Sequence, residues 1–586
     1  MNNVLMNELL LSAARTHGLA RPYILSSEEL TSMPQQHGVP TQGIRGEIEI
    51  EGQTVAISLV LRFSAPCCLP IIFVQPWDKF GVIPHVDTDG YVCFAQNEGL
   101  IIDPNRFEEV VSTSLGRAIA QLRAGARREN SRDFIDEFLP YWNRQKEILK
   151  CQCFVEPSNE PKLIQVFVQG AKYTYVCDHE ADVRAYLSGS ETIHLTQRNA
   201  LYVPLPIGTV IEPPHPDAGW SPMEATTVVS RCFDSRTAKK VSMLCHKLTK
   251  SEELVVARLP RTDGSGGALF GLKYEGVGKT HPLAGGPTPT ALTPVSLSRC
   301  DRALLLPRGG ANVDLHNKRV LVAGCGSVGG FLSVELARAG IGHLTLVDYD
   351  SLEEVNVFRH VLGRKHLNKK GTKAELLSKH ISDNIPYMDV TPIPDRIEQA
   401  IKTGKADLST VDLIVVALGD PTTELYLNRL AGDAPAKFPP LVFVWVEAYG
   451  IGWHVQVSNN AHEGGGCLEC LYTNMPGDQS GLHCRASFAE AGQEFGRNFS
   501  GCSGLFIPYG STIAMHAALL AIKSATDVLT GRELGNPQLS VKGSSSAFTE
   551  MGFTLTERYL KNTDVDLYEH RYDYVSPACA VCGDRP

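Results

Sequence analysis

Sixteen cysteines occur among 586 residues, and four of them have ligand spacing. "CLEC" supplies Cys467 and Cys470, and "CAVC" supplies Cys579 and Cys582. Two such CxxC knuckles can provide the four thiolates of a closed tetrahedral zinc site, which has no open position for catalysis. The competing reading is a redox dithiol, but neither pair opens a helix after a strand in the manner of a thioredoxin. A different cysteine, Cys93, ends the tight polar turn "PHVDTDGYVCF", and a thiol delivered there is a candidate nucleophile. Cys502, with Cys484 as the second candidate, follows a stretch rich in Gly and polar residues between the two pairs, read as a mobile loop. The remaining chemistry lies in "RVLVAGCGSVGG", where Gly324, Gly326 and Gly329 permit a tight turn and let phosphate approach the N-terminus of the next helix. A strand ending in Asp348 and Asp350 follows, then Asn356, Arg359, Lys373 and Asp420. An acid after the second strand also suits a dinucleotide-dependent dehydrogenase, but two cations and an amide beside the glycine turn suit a triphosphate. A carboxylate at the end of a strand suits magnesium.

The elements that position these residues fall into three regions, so the expected fold is multidomain. Residues 1–155 read as an α+β unit: a helix, the alternating strands beginning near Gly46, and the helical patterns "FEEVVSTSLGRAIAQLRAG" and "FIDEFLPYWNRQKEIL". Residues 156–295 are β-rich, close on the Gly/Pro-rich "GVGKTHPLAGGPTPTALTP", and carry no chemical motif; spacing or docking is the expected role. Residues 296–586 alternate strand, Gly turn and helix, the pattern of a parallel Rossmann-like α/β sheet. A formal charge of −9 provides no global basic field for nucleic acid. Without a basic leader or an apolar run near ~20 residues, neither secretion nor membrane spanning is expected, and the chain reads as cytoplasmic.

In order, "GCGSVGG", "LVDYD", "NVFR", "GTK" and "ALGD" resemble the adenylation domain of ubiquitin-activating enzymes and their bacterial relatives ThiF and MoeB. The resemblance covers about residues 298–586, with "SRCDRALLLPRGG" similar to that family's opening segment. It implies ATP and Mg2+ as cofactors and a homodimer. Arg302 would reach ATP across the dimer, Asp350 would hold the ribose, Asn356, Arg359 and Lys373 the phosphates, and Asp420 the magnesium. It also implies a structural Zn2+ on the four cysteines and a thioester at Cys502. His360 stands where the family usually has Gln.

"PHVDTDGYVCF" resembles the active-site segment of ubiquitin-conjugating enzymes, with Cys93 as the acyl-accepting cysteine and His85 ordering the turn. Val86 and Asp87 replace the usual Pro and Asn, so the amide that would assist a tetrahedral oxyanion is missing and an ionised Asp87 would repel it. A conjugating domain fused to an activating domain resembles the bacterial enzymes of anti-phage CBASS operons. The implied activity is adenylation of the C-terminal glycine of a protein, a ubiquitin-like protein or a cGAS-like nucleotidyltransferase, then transfer through cysteine thioesters to the amine of a target protein. A sulfur-carrier adenylyltransferase and a scaffold with a dead conjugating domain are the alternatives.

Overall fold

The computed structural model describes residues 3–95, 99–169, 172–186, 196–248, 251–261, 266–435, 438–459, 465–472, 483–498 and 505–583. Cys502 lies outside the described residues. The chain forms two compact units, Met1–Val183 with Thr192–Leu304, and Arg184–Glu191 with Leu305–Pro586.

The first unit begins with a four-stranded antiparallel meander, Ala20–Ile24, Pro40–Ile50, Gln53–Arg62 and Ile71–Gln75. Ile44, Ile48, Ile50, Val55, Ile57 and Leu59 turn to the same side through the period-two alternation of their strands. The helices Asn3–Thr16 and Phe107–Ala126 cover that side. The second of these buries Phe107, Val111, Leu115, Ala118 and Leu122, the stripe expected of a 3.6-residue period. Each such Phe or Leu contributes about 1.5–3 kcal/mol on burial.

Seven strands then close a barrel in the order Ala268–Glu275, Ala291–Arg299, Leu149–Phe154, Lys172–Cys177, Lys162–Gln169, Thr196–Pro204, Glu252–Leu259. Leu149–Phe154 precedes the middle region expected from sequence, yet it is a barrel strand, pairing in parallel with Ala291–Arg299. Alternation gives the barrel two cores. Ala200, Tyr202, Leu254 and Val256 join one, while Leu201, Val203, Val255 and Ala257 join another that includes Phe138 and Trp142. The indole of Trp142 donates to Val295 O at 3.0 Å, so the helix Phe134–Trp142 is bound to the barrel.

The second unit is built on a seven-stranded sheet ordered Asp389–Ile393, His343–Val347, Arg319–Ala323, Leu413–Val416, Leu441–Val446, Gly452–Ser458, Gln538–Lys542. The first five strands are parallel and the next two pairings antiparallel. Leu413–Val416 is buried along its whole length, as a parallel strand covered on both faces must be. Chain order reverses between Arg319–Ala323 and Leu413–Val416, and a crevice opens at the carboxyl ends of strands at such a point. The helix Ser511–Leu529 is long and apolar enough to cross a membrane by length and composition. This corrects the expectation of no such run, but the helix lays Ala514, Ala517, Ala518, Ala521 and Ala525 into the core of the sheet.

Candidate functional site

Three centres take shape on this scaffold. At the switch point Gly324 N–H donates to Val347 O, and Gly324 has a φ of +93°, where a Cβ would sit 2.6 Å from Ala417 O. Gly329 lets the helix close on the turn, since a Cβ there would meet Gly324 O at 1.9 Å. Gly326 caps the helix Ser327–Arg338 with open space where a side chain would be. Asp348 holds the turn, its carboxylate accepting from the amides of Cys325 at 2.7 Å and Asp350 at 2.8 Å. Burial pushes its pKa up.

A cavity of about 550 Å³ opens here and gathers Gly326, Asn356, Arg359 and Lys373, with Gly419 and Pro421 flanking Asp420. Lys373 donates from Nζ to Asp350 at 3.1 Å, so two of the expected nucleotide contacts are paired with each other. The Arg359 guanidinium lies 5.4 Å from the centre of the Tyr509 ring, whose hydroxyl is 2.6 Å from Ser327 Oγ. Asn356 accepts from Glu353 N–H at 3.0 Å. His360 joins Cys325 O at 2.7 Å and accepts from Leu362 N–H. Asp420 is exposed and caps the helix Pro421–Asp433 through Thr422 N–H and Thr423 Oγ. Glu424 lines the same cavity, accepts from Gly419 N–H at 3.0 Å, and is pushed up to about 7 by burial. Arg302 belongs to the other unit, where its Nε donates to Glu156 at 2.7 Å.

The four sulfurs of Cys467, Cys470, Cys579 and Cys582 all lie within 4.8 Å of one another. The Cys467–Cys579 and Cys470–Cys582 separations are 3.7 and 3.2 Å, against roughly 3.8 Å between sulfurs around tetrahedral zinc with Zn–S near 2.3 Å. Asn428 Nδ2 approaches Cys467 Sγ at 3.4 Å, the kind of donor that steadies a thiolate ligand. Mutual hydrogen bonding lowers Cys470 and Cys579 and raises Cys467 and Cys582. Cys484 is pushed up to about 11 by burial. Nearby, Phe488 and Ala489 donate their N–H groups to Glu447, so the described part of the expected mobile loop is anchored to the core.

Cys93 sits half-buried on a small hairpin. Its N–H donates to His85 O at 2.7 Å, and Asp87 N–H donates to Tyr91 O at 2.8 Å, while Val86 and Val92 turn inward. Tyr141 secures the buried edge, its hydroxyl accepting from Val86 N–H and lying within donating distance of Ile83 O and Val86 O. Both ring nitrogens of His85 face carboxylates, Nδ1 with Glu137 at 2.6 Å and Nε2 with Asp133 at 3.0 Å. Burial opposes the charge on this ring, but the Cys93 thiol, Glu137 and Asp133 together raise its pKa to about 10. Asp87 is not left as a bare anion, because Arg144 forms an ion pair with it and donates to Thr88 Oγ at 2.9 Å.

Residues 301–566 match the ThiF family, and residues 29–150 match prokaryotic E2 family B. The chain joins a ThiF-family region to an E2-like region. An ATP-dependent ubiquitin transferase-like protein Cap2 of Pseudomonas aeruginosa is 25% identical over 477 residues, 77% of this chain and 80% of that protein. Cap2 of Vibrio cholerae is 23% identical over 533 residues, 82% and 87% of the two chains. The adenylyltransferase and sulfurtransferase UBA4 of Yarrowia lipolytica is 27% identical over 232 residues, 39% of this chain and 52% of that protein. These relationships make the chain an enzyme, an ATP-dependent transferase.

Several residues of the E2-like site escaped sequence reasoning. Asp133, Glu137 and Tyr141 recur every four positions and so share one helical face, with Arg144 three further on. That stripe is the signal that could have located them. In the ThiF-family region, Glu424 and Tyr509 carry no comparable pattern, and only the fold brings them to the cavity.

Proposed function

We propose that this enzyme adenylates the C-terminal glycine carboxylate of a protein, carries the acyl group on cysteine and joins it to an amine of a target protein. Supporting this reading is one observation above others: a cavity at the switch point offers a glycine turn, an amide and two cations, while the same chain carries Cys93 on a structured hairpin. Asn356, Arg359 and Lys373 hold the phosphates and Asp350 the ribose. The carboxylate attacks the α-phosphorus, forming a C–O–P bond as pyrophosphate leaves. A thiolate, Cys502 in this reading, then displaces AMP, and Cys93 takes the acyl group by thioester exchange. Thiolate suits both steps because it is nucleophile and leaving group. Attack by the target amine forms the C–N bond and expels Cys93.

Asp420 is the ligand assigned to Mg2+, which supplies charge neutralisation on the phosphates. The four-cysteine cluster fits zinc, which would tie "CLEC" to "CAVC" as a structural staple. Arg302 is assigned to the nucleotide of a second copy in a homodimer. The activated protein is a cGAS-like nucleotidyltransferase or a ubiquitin-like protein, and the setting is cytoplasmic antiviral defence of the CBASS kind, a reading supported by the Cap2 relatives. Pyrophosphate exchange with ATP, magnesium and a protein ending in glycine tests the first step. Asp420→Ala should abolish it in a folded chain, and NAD-dependent hydride transfer would overturn the class.

A further inference from the structure

Cys325 stands in the glycine turn and Asp350 just beyond the next strand, and Asp348 bonds to both. Its Oδ2 accepts from Cys325 N–H at 2.7 Å and its Oδ1 from Asp350 N–H at 2.8 Å, so each carboxylate oxygen serves a different segment. The bonds continue outward on both sides. Cys325 O accepts from His360 Nε2 at 2.7 Å, while His360 Nδ1 accepts from Leu362 N–H at 3.0 Å. A neutral imidazole, with one donor and one acceptor, satisfies both contacts. On the other side Asp350 O accepts from Lys373 N–H at 2.7 Å, and the Lys373 ammonium donates to the Asp350 carboxylate at 3.1 Å. Arg359 directly precedes His360. One chain of hydrogen bonds therefore joins the segments that carry Arg359, the glycine turn, Asp350 and Lys373, and Asp348 is its midpoint.

We propose that Asp348 is a positioning residue for the nucleotide: a single carboxylate that fixes the ribose-binding Asp350 relative to the phosphate-binding turn. The inference rests on the reading of Asp350 as the ribose contact and of the glycine turn as the phosphate contact. Both oxygens of Asp348 are engaged by backbone amides, so it acts through the two segments it joins. A nucleotide spans both segments at once. If they were free to move apart, binding would have to order them, and a frame already ordered is spared that cost. The carboxylate suits the task because it accepts at two oxygens, whereas the carboxamide of Asn has one acceptor oxygen and presents a donor in place of the other. Networks of this kind rigidify a site when every member is satisfied. The Lys373 ammonium offsets the charge of the neighbouring carboxylates, by the ion pair with Asp350 and by its attraction on Asp348.

The test is titration calorimetry of the full chain, without protein substrate, using ATP, dideoxy-ATP (which lacks both ribose hydroxyls) and tripolyphosphate. The parent should bind ATP at least ~10-fold more tightly than dideoxy-ATP, the worth of hydrogen bonds to a carboxylate, and Asp350→Ala should remove that preference. Asp348→Ala should shrink the same preference to within about twofold although Asp350 is intact, and should weaken tripolyphosphate at least ~5-fold because the Cys325 amide is released. A merely structural loss would weaken ATP and dideoxy-ATP alike and leave their ratio unchanged. Asp348→Asn can accept from only one of the two amides and should show at least one of the two changes, which keeps the comparison available should Asp348→Ala fail to fold. A folded Asp348→Ala chain that retains either the ATP preference or the parent's affinity for tripolyphosphate overturns the inference, as does an Asp348→Asn chain that retains both. A parent chain that binds ATP and dideoxy-ATP equally overturns the ribose reading itself, and the inference with it.

Discussion

Removing one hydroxyl should loosen the hairpin that carries Cys93 without disturbing the rest of its unit. Tyr141 is almost fully buried, and Val86 is 1% exposed. The hydroxyl accepts from Val86 N–H at 3.2 Å and has one proton to donate, to Val86 O at 2.7 Å or Ile83 O at 2.8 Å. Tyr141→Phe therefore removes one donated and one accepted bond. Each is worth about 1 kcal/mol net, and stranding a buried N–H adds to the cost. The ring keeps its edge contact with Phe134 at 5.9 Å, so little cavity is created. The expected loss is about 2 kcal/mol of local stability, or a ~30-fold rise in opening. Hydrogen exchange read by mass spectrometry over residues 83–93 should accelerate by that factor, chiefly at the amides of Asp87 and Cys93, which bond across the hairpin. Amides of the helix Phe107–Ala126 should not change. Unaltered protection of the hairpin would refute the claim that Tyr141 holds it.

Gly329→Ala places a methyl 1.9 Å from Gly324 O, so the turn must shift; a loss of about 1–3 kcal/mol and severe weakening of ATP binding in a calorimeter are expected. Cys579→Ser should reduce bound zinc well below one per chain by elemental analysis and lower the thermal midpoint of the ThiF-family region, because metal binding contributes to folding. His85 is raised to about 10 in the folded state, so its stabilising contribution is complete below the unfolded value near 6.5 and disappears as pH rises through about 10. The urea midpoint difference between the parent chain and His85→Gln should therefore narrow steadily from pH 7 to pH 10.

The parallel sheet was legible because "VLVA", "LIVV" and "LVFVWV" are unbroken apolar runs at the spacing of strand–helix units, and the glycines mark the turn where chain order reverses. The cysteine pairs were legible from spacing alone, and the structure brings all four sulfurs together. Side-chain partnerships across long separations were not. No local pattern shows that Lys373 pairs with Asp350 or that Arg144 neutralises Asp87 from 57 positions away; each depends on tertiary placement. The barrel was visible only as strand-like runs, because its closure joins Leu149–Phe154 to Ala291–Arg299 across the whole middle region. The helix Phe134–Trp142 has two destinations. Phe138 and Trp142 enter the barrel's core while Glu137 and Tyr141 hold the Cys93 hairpin, and a single apolar stripe does not disclose the second role.

The central claim is that an acyl group activated by ATP passes through Cys93. Its most direct test is mass spectrometry of the Cys93 peptide from full chain isolated from its own cells into acid without reductant. The account predicts a thiol-labile adduct at Cys93 ending in the C-terminal residues of another protein, lost in the Lys373→Ala and Asp420→Ala chains. Conjugates formed at the normal rate by a Cys93→Ala chain would contradict it.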